Sequence, residues 1–222
     1  MAVKLYDFHS SSTSFRVRIA LNVKGVEVEH VPVEIGDVGK ADFRELNPQA
    51  NVPVLIDGGV ELFQSFAIIE YLEETRPEPP LLPKNLDERA RVRALSLWIA
   101  CEIQPLNTVR TLRHLKERYG VNEIDLGNWQ LHWCATGFDA LEQQLAASSY
   151  TGKFCHGDAP TMADCFLVPQ IYNSQRPLVG CDLGKWPTLA RIYQTCLALP
   201  EFERALPQNQ PGFGDAPMSS PL

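Results

Sequence analysis

The stretch Ser10-Ser11-Ser12-Thr13-Ser14-Phe15-Arg16-Val17-Arg18-Ile19-Ala20-Leu21 decides how the chain begins to fold. Its five hydroxyl residues follow an apolar run, Val3 to Phe8, that reads as a strand. Phe15, Val17, Ile19 and Leu21 alternate with Arg16 and Arg18, a pattern that a half-buried strand also satisfies. Helix is the better reading over Phe15 to Lys24, because the serine cluster supplies an N-cap, Ala20-Leu21-Asn22-Val23 breaks the alternation, and Gly25 can close the end. The first N–H groups of such a helix have no intrahelical partner, and its dipole is positive there. The loop therefore suits an anion: a thiolate, a carboxylate or a phosphate.

Outward from this motif, Val26 to Val33 reads as a second strand and Ala41 to Leu46 as a short helix. Val52-Pro53-Val54-Leu55-Ile56 is a third strand with proline at its start, a place where a sheet tolerates one. Asp57-Gly58-Gly59 turns into Val60 to Phe63, and Gln64-Ser65 opens a helix to about Arg76, with Ser65 as its N-cap and Ile68, Ile69 and Leu72 inward. The order is β-α-β-α-β-β-α.

Pro77, Pro79, Pro80 and Pro83 exclude regular structure and mark a linker. The expected division is residues 1–80, a linker at 81–87, and a helical region at 88–222. There, Asp87 to Tyr119 reads as one helix kinked at Pro105, and the four-residue spacing from Leu126 to Leu145 as a second long one. Thr161 and Asp164 form a capping box for a mostly apolar helix to about Gln175. Another helix lies between Trp186-Pro187 and Pro200, and a short one holds Phe202. From Pro207 on, the Pro, Gln, Gly and Ser content predicts an irregular tail.

The formal net charge of −7 argues against a nucleic-acid binder. No basic n-region precedes an apolar stretch, and no apolar run nears the roughly 18 residues that span a bilayer, so a soluble cytoplasmic protein without membrane partners is expected. The six cysteines contain no C-x-x-C pair and the histidines no H-x-x-x-H pair; reduced core thiols and no metal are expected.

The strand–helix opening with its hydroxyl cluster, the Val-Pro of the third strand, the Gln-Ser before the third helix, the proline-rich linker and the helical second half resemble the cytosolic glutathione transferases. Ser11 to Leu21 is similar to the zeta-class signature S-S-C-x-W-R-V-R-I-A-L, with Thr13 in place of cysteine. Asn47-Pro48-x-x-x-Val52-Pro53, Gln64-Ser65-x-Ala67-Ile68-Ile69-Glu70-Tyr71-Leu72-Glu73-Glu74, Ile103-Gln104-Pro105-Leu106-Asn107 and Thr161-Met162-Ala163-Asp164 carry the likeness from about residue 3 to 205. The zeta class includes maleylacetoacetate isomerase and maleylpyruvate isomerase. One departure touches chemistry: Ser10 stands where many members have an arginine suited to a substrate carboxylate.

The resemblance implies an α/β thioredoxin-like N-terminal domain and an all-α C-terminal domain, with glutathione as cofactor. It places the γ-glutamyl carboxylate on Gln64, Ser65 and a helix N-terminus, although Ser65 also serves as a simple cap. It places the cysteinyl backbone on a cis Val52-Pro53 turn. The thiolate goes to Ser11, with Ser12 and Thr13 as second choices; a hydroxyl donor at a helix start lowers a thiol pKa from its usual value of about 8.5. A hydroxyl-rich capping loop with no ligand is the reading those residues would have without the family. Gln104 and Thr108, read as one helical turn apart, face the same cleft as Arg110 and join the glutathione site, although an exposed polar face explains them equally well. Ser10, Arg110 and Arg176 face a dicarboxylate substrate, although the arginines also read as surface or helix-end charges. Arg16 and Arg18 read as structural ion-pair residues, and Asp164 as a folding residue.

Three functions follow. The first is cis–trans isomerisation of maleylacetoacetate or maleylpyruvate, by thiolate addition, rotation and elimination. The second is conjugation or dehalogenation of small α-halo acids, and the third a non-catalytic glutathione-binding module. A homodimer is carried over from the family.

Overall fold

β1 (Val3–Asp7) runs parallel to β2 (Val28–Pro32), with Val3 opposite Val28, and antiparallel to β3 (Val54–Asp57), which pairs with β4 (Val60–Phe63). The sheet order is β2-β1-β3-β4. The computed structural model describes residues 2–34 and 36–213. Between the parallel strands lies α1 (Ser12–Val23), and between β2 and β3 the short α2 (Ala41–Leu46). After β4 comes α3 (Ser65–Thr75), whose Ile68, Ile69 and Leu72 are fully buried, as are Leu5, Ile19, Leu21 and Leu55 of the same unit.

The alternation in the opening motif is not that of a half-buried strand. Ser14 to Leu21 are buried on every side of α1, Arg16 and Arg18 included. Arg18 donates to Asp7 Oδ2 at 2.8 Å, to the His9 carbonyl at 2.9 Å and to the Ala205 carbonyl at 3.1 Å. Burial pushes its guanidinium pKa down, and the Asp7 carboxylate acts against that shift. The ion-pair reading of Arg18 holds, and Arg16 reaches the Ser65 hydroxyl on α3.

The chain divides into two compact units. The first holds residues up to Leu81 together with the segment from Ala198, and the second is Leu82–Leu197. The segment after 198 thus groups with the α/β unit: α9 (Pro200–Arg204) lies against α1, where Asn22 Nδ2 donates to the Glu201 carbonyl at 2.8 Å. Part of the expected irregular tail is ordered as a 3-10 turn, Pro207–Asn209; its residues beyond 213 lie outside those described.

The second unit contains α4 (Leu86–Leu97), α5 (Val109–Tyr119), α6 (Glu123–Ala146), α7 (Met162–Ser174) and α8 (Pro187–Leu197). α7 is buried along nearly its whole length, as its apolar sequence predicts, and packs against α4 and α8. Its capping box is present: Asp164 accepts from Thr161 N at 2.8 Å, Thr161 Oγ1 at 2.8 Å and Cys155 N at 2.9 Å. Desolvation raises the pKa of the Asp164 carboxyl, and those donors act against the shift.

The single helix expected over Asp87 to Tyr119 is broken, not kinked. It widens to a π-helix at Trp98–Ile103, tightens to a 3-10 helix at Gln104–Asn107, and restarts as α5 behind the N-cap Thr108. Pro105 has no N–H and its ring crowds the carbonyl four residues back, which disturbs an α-helix at that point. α7 carries Pro169 without breaking, so the proline alone does not dictate the restart. Carbonyls left over at the break find side-chain donors: Asn107 Nδ2 to the Ile103 carbonyl and Trp129 Nε1 to the Leu106 carbonyl, both at 2.8 Å.

All six cysteines are free thiols, and five are buried. Burial pushes Cys134 up to about 12, and holds Cys155 and Cys196 well above the usual thiol value. A small alkylating reagent on the native protein should therefore modify the exposed Cys101 and spare the rest. Peptide mapping by mass spectrometry checks this; prompt modification of Cys134 or Cys155 would contradict the packing described.

Candidate active site

In the first unit the hydroxyl cluster and the Val52-Pro53 turn meet. Ser11 is the N-cap of α1, and its Oγ accepts from Ser14 N at 3.2 Å. Ser11 Oγ lies 2.8 Å from Thr13 Oγ1, and Thr13 Oγ1 donates to the Val52 carbonyl at 2.9 Å. A chain of two hydroxyls thus joins the start of α1 to the turn before β3. The Val52–Pro53 peptide is cis. Ser12 is the first residue of α1, and Ser10 Oγ is 2.7 Å from His9 Nδ1.

Ser65 is not the N-cap that the sequence suggests. Gln64 takes that place, with no side-chain cap bond, and Ser65 is the first helical residue of α3. The Ser65 hydroxyl instead accepts from Arg16 Nη1 at 3.3 Å, a contact between two buried residues 49 positions apart. Arg16 needs an acceptor inside the fold, and Ser65, having received that N–H, keeps its own proton to donate. Gln64 sits at φ 70°. For a non-glycine residue that conformation costs about 1–3 kcal/mol and collects at ligand sites. Its Nε2 donates to Gln49 Oε1 at 2.8 Å.

Reading the residues alone could not find Arg16 beneath Ser65 or Gln49 beside Gln64. Both pairings join distant segments and leave no local spacing. His9, the partner of Ser10, adjoins the motif and is the one neighbour a closer reading of it could have singled out.

In the second unit Gln104 opens the 3-10 segment, and Thr108 caps α5, its Oγ1 accepting from Thr111 N at 3.2 Å. The break in the helix removes the one-turn relation expected between Gln104 and Thr108. Arg110 is exposed in the first turn of α5, and half-buried Arg176 follows the C-cap of α7. Burial lowers the Arg176 pKa, and the charge of Tyr172 acts the other way. A surface pocket of about 450 Å³ on α6, lined by His132, Asp139, Lys185 and Trp186 among others, contains none of these residues. Among the described residues no cluster of His, Cys, Asp or Glu could hold a metal, and no helix is long and apolar enough to cross a membrane.

The chain matches the family model for the glutathione S-transferase N-terminal domain over residues 1–74 and that for the C-terminal domain over 134–195. It is 44% identical to a maleylpyruvate isomerase of Ralstonia sp, over 94% of this chain and 99% of that one. It belongs to the glutathione S-transferases, in the zeta class. Among solved zeta-class glutathione transferases, a holo maleylpyruvate isomerase superposes with a TM-score of 0.91 at 44% identity, over 94% of this chain and 99% of its own. The maleylacetoacetate isomerase of Methylobacterium extorquens AM1, with bound malonate and glutathione, gives 0.90 at 41% identity, covering 94% and 98%. The thioredoxin-like sheet and helical second unit read from the sequence are those of this family of transferases.

Proposed function

We propose that the chain catalyses the glutathione-dependent cis–trans isomerisation of a maleyl keto acid, maleylacetoacetate or maleylpyruvate. The hydroxyl chain from Ser11 through Thr13 to the Val52 carbonyl carries the reading, because it sets a proton donor and a helix N-terminus against a backbone turn. The donor set fits glutathione, whose thiolate and terminal carboxylates are anions. Bound glutathione supplies a thiol nucleophile that adds to the conjugated double bond, permits rotation and is regenerated on elimination.

Ser11 donates to the thiolate, with Ser12 the neighbouring hydroxyl. Val52 and Pro53 offer backbone groups to the cysteinyl unit. The N-terminus of α3 with Gln64 and Ser65 holds a carboxylate, and buried Arg16 adds positive charge beneath it. Gln104 and Thr108 are assigned to glutathione by the sequence reading alone. Arg110, Arg176 and the Ser10 hydroxyl take the substrate carboxylates, as the malonate bound in the Methylobacterium relative makes chemically reasonable. The same reading makes the protein a cytoplasmic homodimer. Val60 and Phe63, about half exposed on the edge strand β4, supply apolar surface for such contact.

Turnover of maleylpyruvate and maleylacetoacetate, each with and without glutathione, tests the proposal. Isomerisation of at least one, strictly dependent on glutathione, is expected. Failure with both, alongside turnover of an α-halo acid, would overturn it in favour of a conjugating or dehalogenating enzyme.

A further inference from the structure

One proton per hydroxyl fixes the direction of the Ser11–Thr13–Val52 chain. The Val52 carbonyl can only accept, so the Thr13 proton lies on it, at 2.9 Å between oxygens. The contact between Ser11 and Thr13, 2.8 Å long, is then made by the Ser11 proton. Ser11 Oγ meanwhile accepts from Ser14 N. In this arrangement the single Ser11 proton is committed to Thr13 and is not offered to an anion at the helix start.

The same oxygen positions support the opposite direction. Thr13 can turn its O–H from the Val52 carbonyl to Ser11 Oγ, which frees the Ser11 proton. Only two hydroxyl rotors move, and no proton changes owner. Reversed, Ser11 Oγ accepts from both Thr13 O–H and Ser14 N–H, and two donors on one oxygen polarise its own O–H into a stronger donor. The change removes Thr13 from the half-buried Val52 carbonyl, which then requires another donor. A peptide N–H docked along the turn supplies one.

We infer that Thr13 is a positioning residue whose hydroxyl switches between the Val52 carbonyl and Ser11, coupling docking of a peptide backbone on Val52 to the strength of Ser11 as a thiolate donor. The inference rests on the glutathione reading above. It gives Thr13 a task distinct from that of Ser11: Thr13 never touches the sulfur, yet sets how well Ser11 holds it.

The test is a pH titration of the thiol of glutathione bound to the protein, followed by the ultraviolet absorbance of the thiolate. Wild type, Ser11→Ala, Thr13→Val and Thr13→Ser are compared. Valine matches threonine in shape and lacks the hydroxyl, so Thr13→Val should raise the bound thiol pKa by about one unit, roughly tenfold less thiolate at pH values below it. Thr13→Ser should titrate as wild type, and Ser11→Ala should shift at least as far as Thr13→Val. Should Thr13→Val not fold, Thr13→Ala is the substitute with the same expected shift. An unshifted hydroxyl-free variant, with Ser11→Ala still shifted, would overturn the switch and leave the glutathione reading standing. An unshifted Ser11→Ala, or no glutathione binding by wild type, would overturn both.

Discussion

Ser11→Ala is expected to lower glutathione-dependent isomerisation by about 10²–10³-fold, the usual cost of removing one preorganised donor from a developing or stored negative charge. The Ser11 hydroxyl also caps α1, where it accepts from Ser14 N at 3.2 Å. Loss of an N-cap costs about 1 kcal/mol, so the variant should remain folded with a slightly lower melting temperature. Activity and stability therefore separate. Ser11→Thr, which keeps an oxygen and a proton at the same branch point, should retain both far better than alanine, and Ser11→Gly should lose activity while sparing most of the cap energy. The kcat/KM values of the three variants beside their melting temperatures decide the matter. A loss below tenfold in Ser11→Ala would move the donor role to Ser12, the next hydroxyl in the motif. The loss in Ser11→Ala should also exceed that in Thr13→Val, because Thr13 acts only through Ser11.

Much of the fold was legible because its signals are local. Gly-Gly after Asp57, the proline cluster at 77–83 and the Thr161/Asp164 pair each fix a turn, a boundary or a cap from neighbours in sequence. The opening motif was harder. Its alternating arginines imitate a strand because charged residues are ordinarily exposed, whereas Arg16 and Arg18 are buried and find partners in Ser65, Asp7 and Ala205. The break around Pro105 was legible in position only. A proline announces that a helix is disturbed, but whether it bends or restarts depends on which side chains take up the orphan carbonyls; here Asn107 and Trp129 do, and Trp129 belongs to another helix. The site divides in the same way. Ser11 as a cap was readable, while the bond from Thr13 to the Val52 carbonyl spans 39 residues and emerges only once the sheet brings β1 and β3 side by side.

The same limit hides the ion pair on which the second large prediction rests. By sequence Glu73 is one acidic residue among several near the end of α3, and such residues are normally solvated. In the fold it is buried, and its Oε2 accepts from Lys24 Nζ at 2.5 Å and from Leu81 N at 2.9 Å. Lys24, the C-cap of α1, also donates to the Pro79 carbonyl at 2.7 Å and the Pro77 carbonyl at 3.4 Å. One ammonium and one carboxylate thus tie the ends of α1 and α3 to the proline-rich segment that follows. Glu73→Ala would strip the carboxylate from a fully buried ammonium and leave the Leu81 N–H without this acceptor, so it is expected to cost about 3–5 kcal/mol. Glu73→Gln keeps an acceptor of the same shape and should cost less. Replacing both partners by apolar residues, Lys24→Met with Glu73→Leu, removes the stranded charge and should also be milder than Glu73→Ala alone. Chemical denaturation of these three variants together with the single substitutions Lys24→Met and Glu73→Leu closes the cycle and gives the coupling between the two sites directly. If Glu73→Ala costs less than about 1 kcal/mol, the range of exposed ion pairs, water reaches the pair and the buried tie is not what holds the linker.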